Sequence, residues 1–254
     1  MAQLVLDGVG RRYGEIEAIR DISLAIEAHE FMAILGPSGC GKSTLLQIAA
    51  GLLPASFGRV LLDGAAVTAP PRSVVYLFQH YSRSLLPWRS VLANVAFAIE
   101  HRGFSRTDVR ERAMHHIGRV GLEKFATKYP WQLSGGMQQR VAIARALTAE
   151  PRVLMMDEPF SSVDALTRLD LQALIQEIRL AQPMTVLLVT HDVDEAVYMA
   201  DRIAVLTHRP GELAELIEVC LDRPRDAIGT REQKRFLELR HHLLSMLLRR
   251  QDAA

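Results

Sequence analysis

The chain has 254 residues, 49% of them hydrophobic and 23% charged, with a formal net charge of +1. That length suits one large domain or a core carrying an inserted subdomain, and the near-zero charge argues against a general nucleic-acid binder, which carries a basic excess. Two cysteines, Cys40 and Cys220, are too few for a disulfide-built secreted domain and favour a reducing compartment.

The first residues, Met1–Asp7, lack a basic stretch followed by an apolar run, so no signal peptide is expected there. No segment approaches the roughly 18 apolar residues of a membrane span, so a pore would have to come from another chain. Short apolar runs recur at Phe31–Leu35, Val74–Phe78, Val153–Met156, Val186–Val189 and Ile203–Leu206. Each alone reads as a buried helix turn or as a strand buried on both faces. Their alternation with longer helix-like segments favours a parallel sheet between helices, an α/β core.

The first run leads into Gly36, Pro37, Ser38, Gly39, Cys40, Gly41, Lys42, Ser43 and Thr44, the G-x-x-x-x-G-K-[ST] phosphate loop. It opens the helix-like Ser43–Ala50, the context the motif requires. Gly39 and Gly41 let the backbone curl its N–H groups toward phosphate oxygens, and the helix N-terminus adds its dipole. Lys42 is expected to reach the β- and γ-phosphates and the Ser43 hydroxyl to bind Mg²⁺. Cys40 sits among these amides, where a helix N-terminus lowers a thiol's pKa, so a reactive thiol is expected.

Between Gln79 and Pro151 the pattern changes to helices, over Val91–Glu100, Thr107–Val120 and Gly136–Ala149. They read as a helical subdomain, about residues 84–151, inserted into the α/β core. Within it lies Leu133-Ser-Gly-Gly-Met-Gln-Gln-Arg140. Ser134 can cap the following helix, while Gly135 and Gly136 leave two N–H groups at its positive end. That makes a second anion site with no lysine of its own. The run Val153-Leu-Met-Met-Asp-Glu-Pro159 ends in two carboxylates. Asp157 suits Mg²⁺ through water and Glu158 suits polarising an attacking water, a sensible minimum for phosphoryl transfer.

Together these motifs make residues 3–222 resemble the ABC ATPase family, whose signature is Leu-Ser-Gly-Gly-x-Gln. The resemblance implies a P-loop ATPase core with a parallel sheet, an N-terminal antiparallel β part and the helical insertion. It implies a nucleotide-binding domain over 1–222 and a C-terminal helical extension over 223–254. It further implies that Ser134, Gly135 and Gly136 bind the γ-phosphate held by a second ATPase subunit, a homodimer sandwiching two ATP. Tyr13 stands where the family stacks an aromatic on adenine. Gln79 matches the glutamine that senses Mg²⁺ and the attacking water and links hydrolysis to the membrane partner. Asp164, in Ser161-Ser-Val-Asp164, stands in the D-loop, where Ser-Ala-Leu-Asp is commoner. His191 matches the switch histidine on the γ-phosphate.

Ser84-Leu-Leu-Pro-Trp88 resembles the importer subfamily serving nitrate, sulfonate and taurine uptake, with Trp88 in the groove that receives a permease helix. The partners implied are transmembrane permease subunits and, indirectly, a periplasmic or surface solute-binding protein. The location implied is peripheral, on the cytoplasmic face of the inner or plasma membrane. A DNA-repair or translation ABC ATPase would add long insertions or basic surfaces, and a nucleoside kinase or GTPase would lack Leu133–Arg140. The last helix, expected over Arg231–Arg250, carries Phe236, Leu239, Leu243 and Leu247 at helical spacing, with Arg235, Arg240 and Arg249 on its basic face. It is expected to dock on its own core or on a dimer mate.

Overall fold

A computed structural model describes residues 2–79 and 84–251 of the chain. They form two compact units, Met1–Val74 with Pro183–Ala254, and Val75–Gln182.

In the first unit β1 (Ala2–Tyr13) and β2 (Ile16–Glu27) form an antiparallel hairpin. Ile22, Leu24 and Ile26 are buried while the residues between them are exposed, the period-2 alternation of a sheet with one wet face. After β3 (Phe31–Leu35) and α1 (Lys42–Ala49), strands β4 (Phe57–Leu62) and β5 (Ala65–Ala66) complete this sheet in the order β2-β1-β4-β5. This is the antiparallel part the family resemblance implies.

Strand β3 belongs to a second sheet. It pairs in parallel with β8 (Thr185–Thr190) and β9 (Arg202–Leu206), and β9 pairs antiparallel with β10 (Leu213–Glu218). Every residue of β3 and β8 is buried, as continuous apolar runs require when both faces are covered. Helix α6 (Val193–Met199) follows β8, started by the Asp192 side chain, which accepts from the Glu195 amide. The buried Arg225 closes its other end, donating to the Tyr198 and Ala200 carbonyls at 2.8 Å each. A guanidinium there answers both the orphan carbonyls and the negative end of the dipole.

The expected single C-terminal helix is two helices, α7 (Gly229–Glu232) and α8 (Lys234–Gln251), because Gln233 leaves helical dihedrals at ψ 140°. Helix α8 docks on its own unit, against α6. Phe236, Leu239 and Leu243 are buried, each contributing roughly 1.5–3 kcal/mol when fully removed from water. That outweighs the half-exposed Arg240–Asp194 ion pair at 2.9 Å, a class of contact giving about 0–1 kcal/mol. The side chain of Arg249 lies outside the described residues.

The second unit holds neighbouring strands β6 (Val74–Leu77) and β7 (Val153–Asp157). Helices α2 (Val91–Ala96), α3 (Arg106–Arg119) and α4 (Gly135–Thr148) pack on one another around Val95, Ile117, Val141 and Ala144. Ser90, Ser105 and Ser134 cap their N-termini. Helix α2 stops four residues short of the Glu100 expected from sequence. There the ladder tightens to Ala98–Val95 and Ile99–Ala96 bonds, the 3₁₀ pattern common at helix ends. Helix α5 (Ala165–Ala181) closes the unit. No helix among the described residues is long and apolar enough to cross a membrane.

Candidate functional site

The phosphate loop leaves β3 and curls into α1 through two residues with positive φ, Gly39 at 78° and Gly41 at 100°. A Cβ at Gly41 would also lie 2.9 Å from the Ala18 carbonyl oxygen, so only glycine fits. Lys42 is buried, and its Nζ donates to the carbonyls of Gly36 at 2.9 Å and Pro37 at 2.8 Å. The cation thus lies back along its own loop, beside the cradle in which a polyphosphate would sit. Ser43 and Thr44 occupy the first turn of α1, half-buried, and Ser38 and Gly39 are exposed at the loop's crest.

Cys40 corrects one expectation. It is 1% exposed, shut inside the loop rather than presented at the helix end, and a thiol so enclosed is inert whatever the dipole offers. Neither cysteine is in a disulfide, and Cys220 is the exposed one.

Two further residues of this unit were marked by the sequence. Tyr13 is exposed at the tip of β1, with the Arg11 guanidinium 4.7 Å from its ring centroid. One face of the ring therefore already carries a cation, and only the other is left for a flat partner. His191 is exposed directly after β8, ahead of the Asp192 cap of α6.

In the second unit, β7 delivers Asp157 and Glu158 to its end. Asp157 is 6% exposed, and its Oδ2 accepts from the Tyr76 hydroxyl at 2.9 Å. Glu158 has φ 44°, a left-handed conformation uncommon outside glycine. The Ser161 hydroxyl donates to the Glu158 carbonyl at 2.9 Å and the buried Gln139 amide donates to the Pro159 carbonyl, so the turn is fixed from two sides. Gln79 Nε2 donates to Glu158 Oε2 at 3.2 Å. The two residues marked for the attacking water are thus in contact.

The Ser134 side chain accepts from the Met137 amide at 3.4 Å, and Ser134 and Gly135 are exposed at the start of α4. A Cβ at Gly136 would lie 2.6 Å from Thr167 Cγ2, so α4 and the start of α5 meet too closely for a side chain. Thr167 in turn is held by Asp164, whose Oδ1 accepts from its amide at 3.0 Å and Oδ2 from its hydroxyl at 2.7 Å. The Thr167 hydroxyl and amide hold the Asp164 carboxyl below its usual range. Asp164 therefore acts first as the cap of α5, fixing the loop beside Gly136.

Sequence reasoning did not single out Tyr76 or Asn94. Asn94 is fully buried; its Oδ1 accepts from the Leu86 amide, and its Nδ2 donates to the carbonyls of Leu86, Arg89 and Ser90. Arg145 donates to the carbonyl and hydroxyl of Ser84 at 2.7 Å each, and Arg89 pairs with Glu100 at 2.7 Å. The Ser84–Ser90 loop is thereby pinned while Trp88 stays 72% exposed.

A family model described as ABC transporter matches residues 19–161. An aliphatic sulfonates import ATP-binding protein of Xanthomonas axonopodis pv. citri is 48% identical over 225 residues, covering 88% of this chain and 88% of its own length. A nitrate import ATP-binding protein of Synechococcus elongatus is 41% identical over 254 residues, covering 97% and 92%. The dimeric post-hydrolysis structure of an ATP-binding cassette bound to ADP and Pi superimposes with TM-score 0.75 at 32% identity, covering 86% of this chain and all of that one. The chain belongs to the ABC transporter family, as an ATP-binding and ATP-hydrolysing subunit of the importer type.

Proposed function

We propose that the chain drives uptake of a small solute, of the nitrate, sulfonate or taurine class, by hydrolysing ATP within a dimer of cassettes attached to a separate permease. The solute is delivered by a periplasmic or surface binding protein, and the chain sits on the cytoplasmic face of the membrane. Residues 1–222 serve as the nucleotide-binding domain, with the helices of 84–151 as its insertion and 223–254 as its extension. The observation that most supports a hydrolytic site is the pair of adjacent carboxylates held by separate donors, Asp157 by Tyr76 and Glu158 by Gln79.

The residues take these roles. Loop amides of Gly36–Thr44 cradle the β- and γ-phosphates, and Lys42 exchanges its two carbonyl partners for phosphate oxygens. Tyr13 stacks on adenine through the ring face opposite Arg11. Ser43, Gln79 and Asp157 would hold Mg²⁺: hydroxyl, amide and carboxylate form an all-oxygen set, the kind this ion takes together with substrate phosphates. When bound, the ion neutralises charge on the β- and γ-oxygens. Glu158 accepts a proton from a water positioned with Gln79. That water attacks the γ-phosphorus, the bond to the β–γ bridging oxygen breaks, and ADP departs with the electron pair. Ser134, Gly135 and Gly136 of the second subunit donate to the same γ-phosphate, with His191 and Asp164 beside it. Trp88 docks the permease, a role its exposure on a pinned loop suits.

Glu158→Gln tests the reading. It keeps the shape and removes the base, so turnover should fall about 10² to 10⁴-fold, roughly 3–5 kcal/mol of barrier. ATP binding should survive, and the variant should run as an ATP-dependent dimer in size exclusion. A variant that binds ATP but stays monomeric overturns the sandwich, and one with wild-type turnover removes Glu158 from the chemistry. Cells lacking the chain should lose uptake of one solute of this class; intact uptake of all three overturns the solute assignment.

A further inference from the structure

We propose that Tyr76 is a positioning residue for the metal-holding carboxylate, acting on Asp157 as Gln79 acts on Glu158. The inference rests on the proposed role of Asp157. Tyr76 lies in β6 and Gln79 just past its end, so one short segment supplies a donor to each of two adjacent carboxylates.

The geometry makes the hydroxyl directional. Asp157 is the last residue of β7, and its side chain is buried apart from a small exposed fraction. Its Oδ2 takes the Tyr76 proton at 2.9 Å, which fixes rotation about the carboxylate's own axis and gives Oδ1 one direction. A carboxylate that must reach a hard cation through water gains from this, because outer partners orient a metal ligand and set its basicity. The ring has a neighbour in its turn: Phe78, one residue past the strand, lies with its centroid 4.6 Å away and its plane tilted by 50°. Each end of the Tyr76 side chain is therefore constrained, the ring by Phe78 and the hydroxyl by Asp157.

The chemistry also distinguishes this bond from a packing contact. A phenol donating to one oxygen brings no charge of its own, whereas a cation at that place would compete with the metal for the carboxylate. Tyr76→Phe deletes only the oxygen and keeps the half-buried ring. Its expected consequence is selective. Nucleotide affinity measured in chelator should match wild type, since the tyrosine hydroxyl acts on the carboxylate and not on the proposed triphosphate-binding amides. The Mg²⁺ or Mn²⁺ concentration needed to reach metal-dependent nucleotide affinity should rise about 10- to 100-fold, the usual effect of losing such a partner.

The experiment titrates Mg²⁺ and, separately, Mn²⁺ into wild type, Tyr76→Phe and Asp157→Asn, each with a fluorescent ATP analogue, alongside the same binding in chelator. Thermal unfolding of the three nucleotide-free chains checks that they fold. A shifted metal requirement in both variants, with chelator affinity and melting of Tyr76→Phe unchanged, supports the inference. A shift in Asp157→Asn alone overturns the role of Tyr76 and leaves that of Asp157 standing. No shift in either variant overturns the role of Asp157 itself. A Tyr76→Phe chain weakened equally with and without metal marks the tyrosine as structural and overturns the inference.

Discussion

The chain contains two glycine-rich helix starts, one in each unit, and they are built on opposite plans. At α1 the N-cap is Gly41, which offers no side chain, and a buried lysine lies folded against the loop. At α4 the N-cap is Ser134, whose side chain answers one amide of its own helix, and both Ser134 and Gly135 face solvent. Each presents amides at the positive end of a helix, where anions are favoured. The first has the buried Lys42 lying against its loop. On the proposed reading the first binds nucleotide in its own right, and the second takes an anion already held by something else. A site of the second kind adds little affinity alone and gains its effect when a partner brings the phosphate.

The largest expected effect separates them at the charge. Lys42→Ala should reduce ATP affinity and turnover together, turnover by about 10² to 10³-fold, the scale of removing one charge-stabilising donor from a reacting group. Isothermal titration and a phosphate-release assay read both. Wild-type affinity in this variant would erase the distinction between the two helix starts.

Acid should separate them next. His116, on α3 where it packs against α4, is 7% exposed and its Nδ1 has no hydrogen-bond partner. Burial, with His115 and Arg119 adding to it and Glu150 opposing, lowers its pKa to about 4. The folded pKa lies below the unfolded one, so the unfolded chain binds the extra proton first. Stability is complete above about pH 6.5 and falls as pH drops from there toward 4, by at most roughly 3 kcal/mol. Amides of α3 and α4 should therefore lose hydrogen-exchange protection between pH 6.5 and 4.5, before those of β3 and α1. His116→Leu should abolish the difference, and equal loss in both units would refute it.

The smallest effect concerns the cap. Ser134→Ala should cost about 1 kcal/mol in urea unfolding and slow turnover, while leaving ATP affinity of the isolated chain unchanged. If affinity fell as far as in Lys42→Ala, the second helix start would be a site in its own right.

What the sequence made legible follows the same physics. Strands buried on both faces, such as Phe31–Leu35 and Val186–Val189, announce themselves as unbroken apolar runs, and helices capped by Ser105 and Ser134 start within a residue of expectation. Strands β1, β2 and β4 gave no such run because they alternate, and the antiparallel sheet was expected only through family likeness. The break at Gln233 was invisible because glutamine suits a helix and only its dihedrals report the stop. Lys42, Ser43, Asp157, Glu158 and the signature were readable because their spacing is itself the motif. Tyr76 was not, since a tyrosine in a strand is ordinary until its hydroxyl is seen to reach a carboxylate 81 residues away. Cys40 was misjudged for the converse reason, since position along the chain does not report enclosure.

Asn94 gives the pinned loop a mechanical meaning. Three carbonyls and one amide of Leu86–Ser90 converge on one buried side chain, so the segment bearing Trp88 is tied to α2. A partner landing on that indole meets chain that is already ordered, and little conformational freedom is lost on contact. Force works the same way in reverse. A push on Trp88 is not absorbed by bending of the loop but passes through the Asn94 amide into the backbone of α2, as through a lever with a stiff joint.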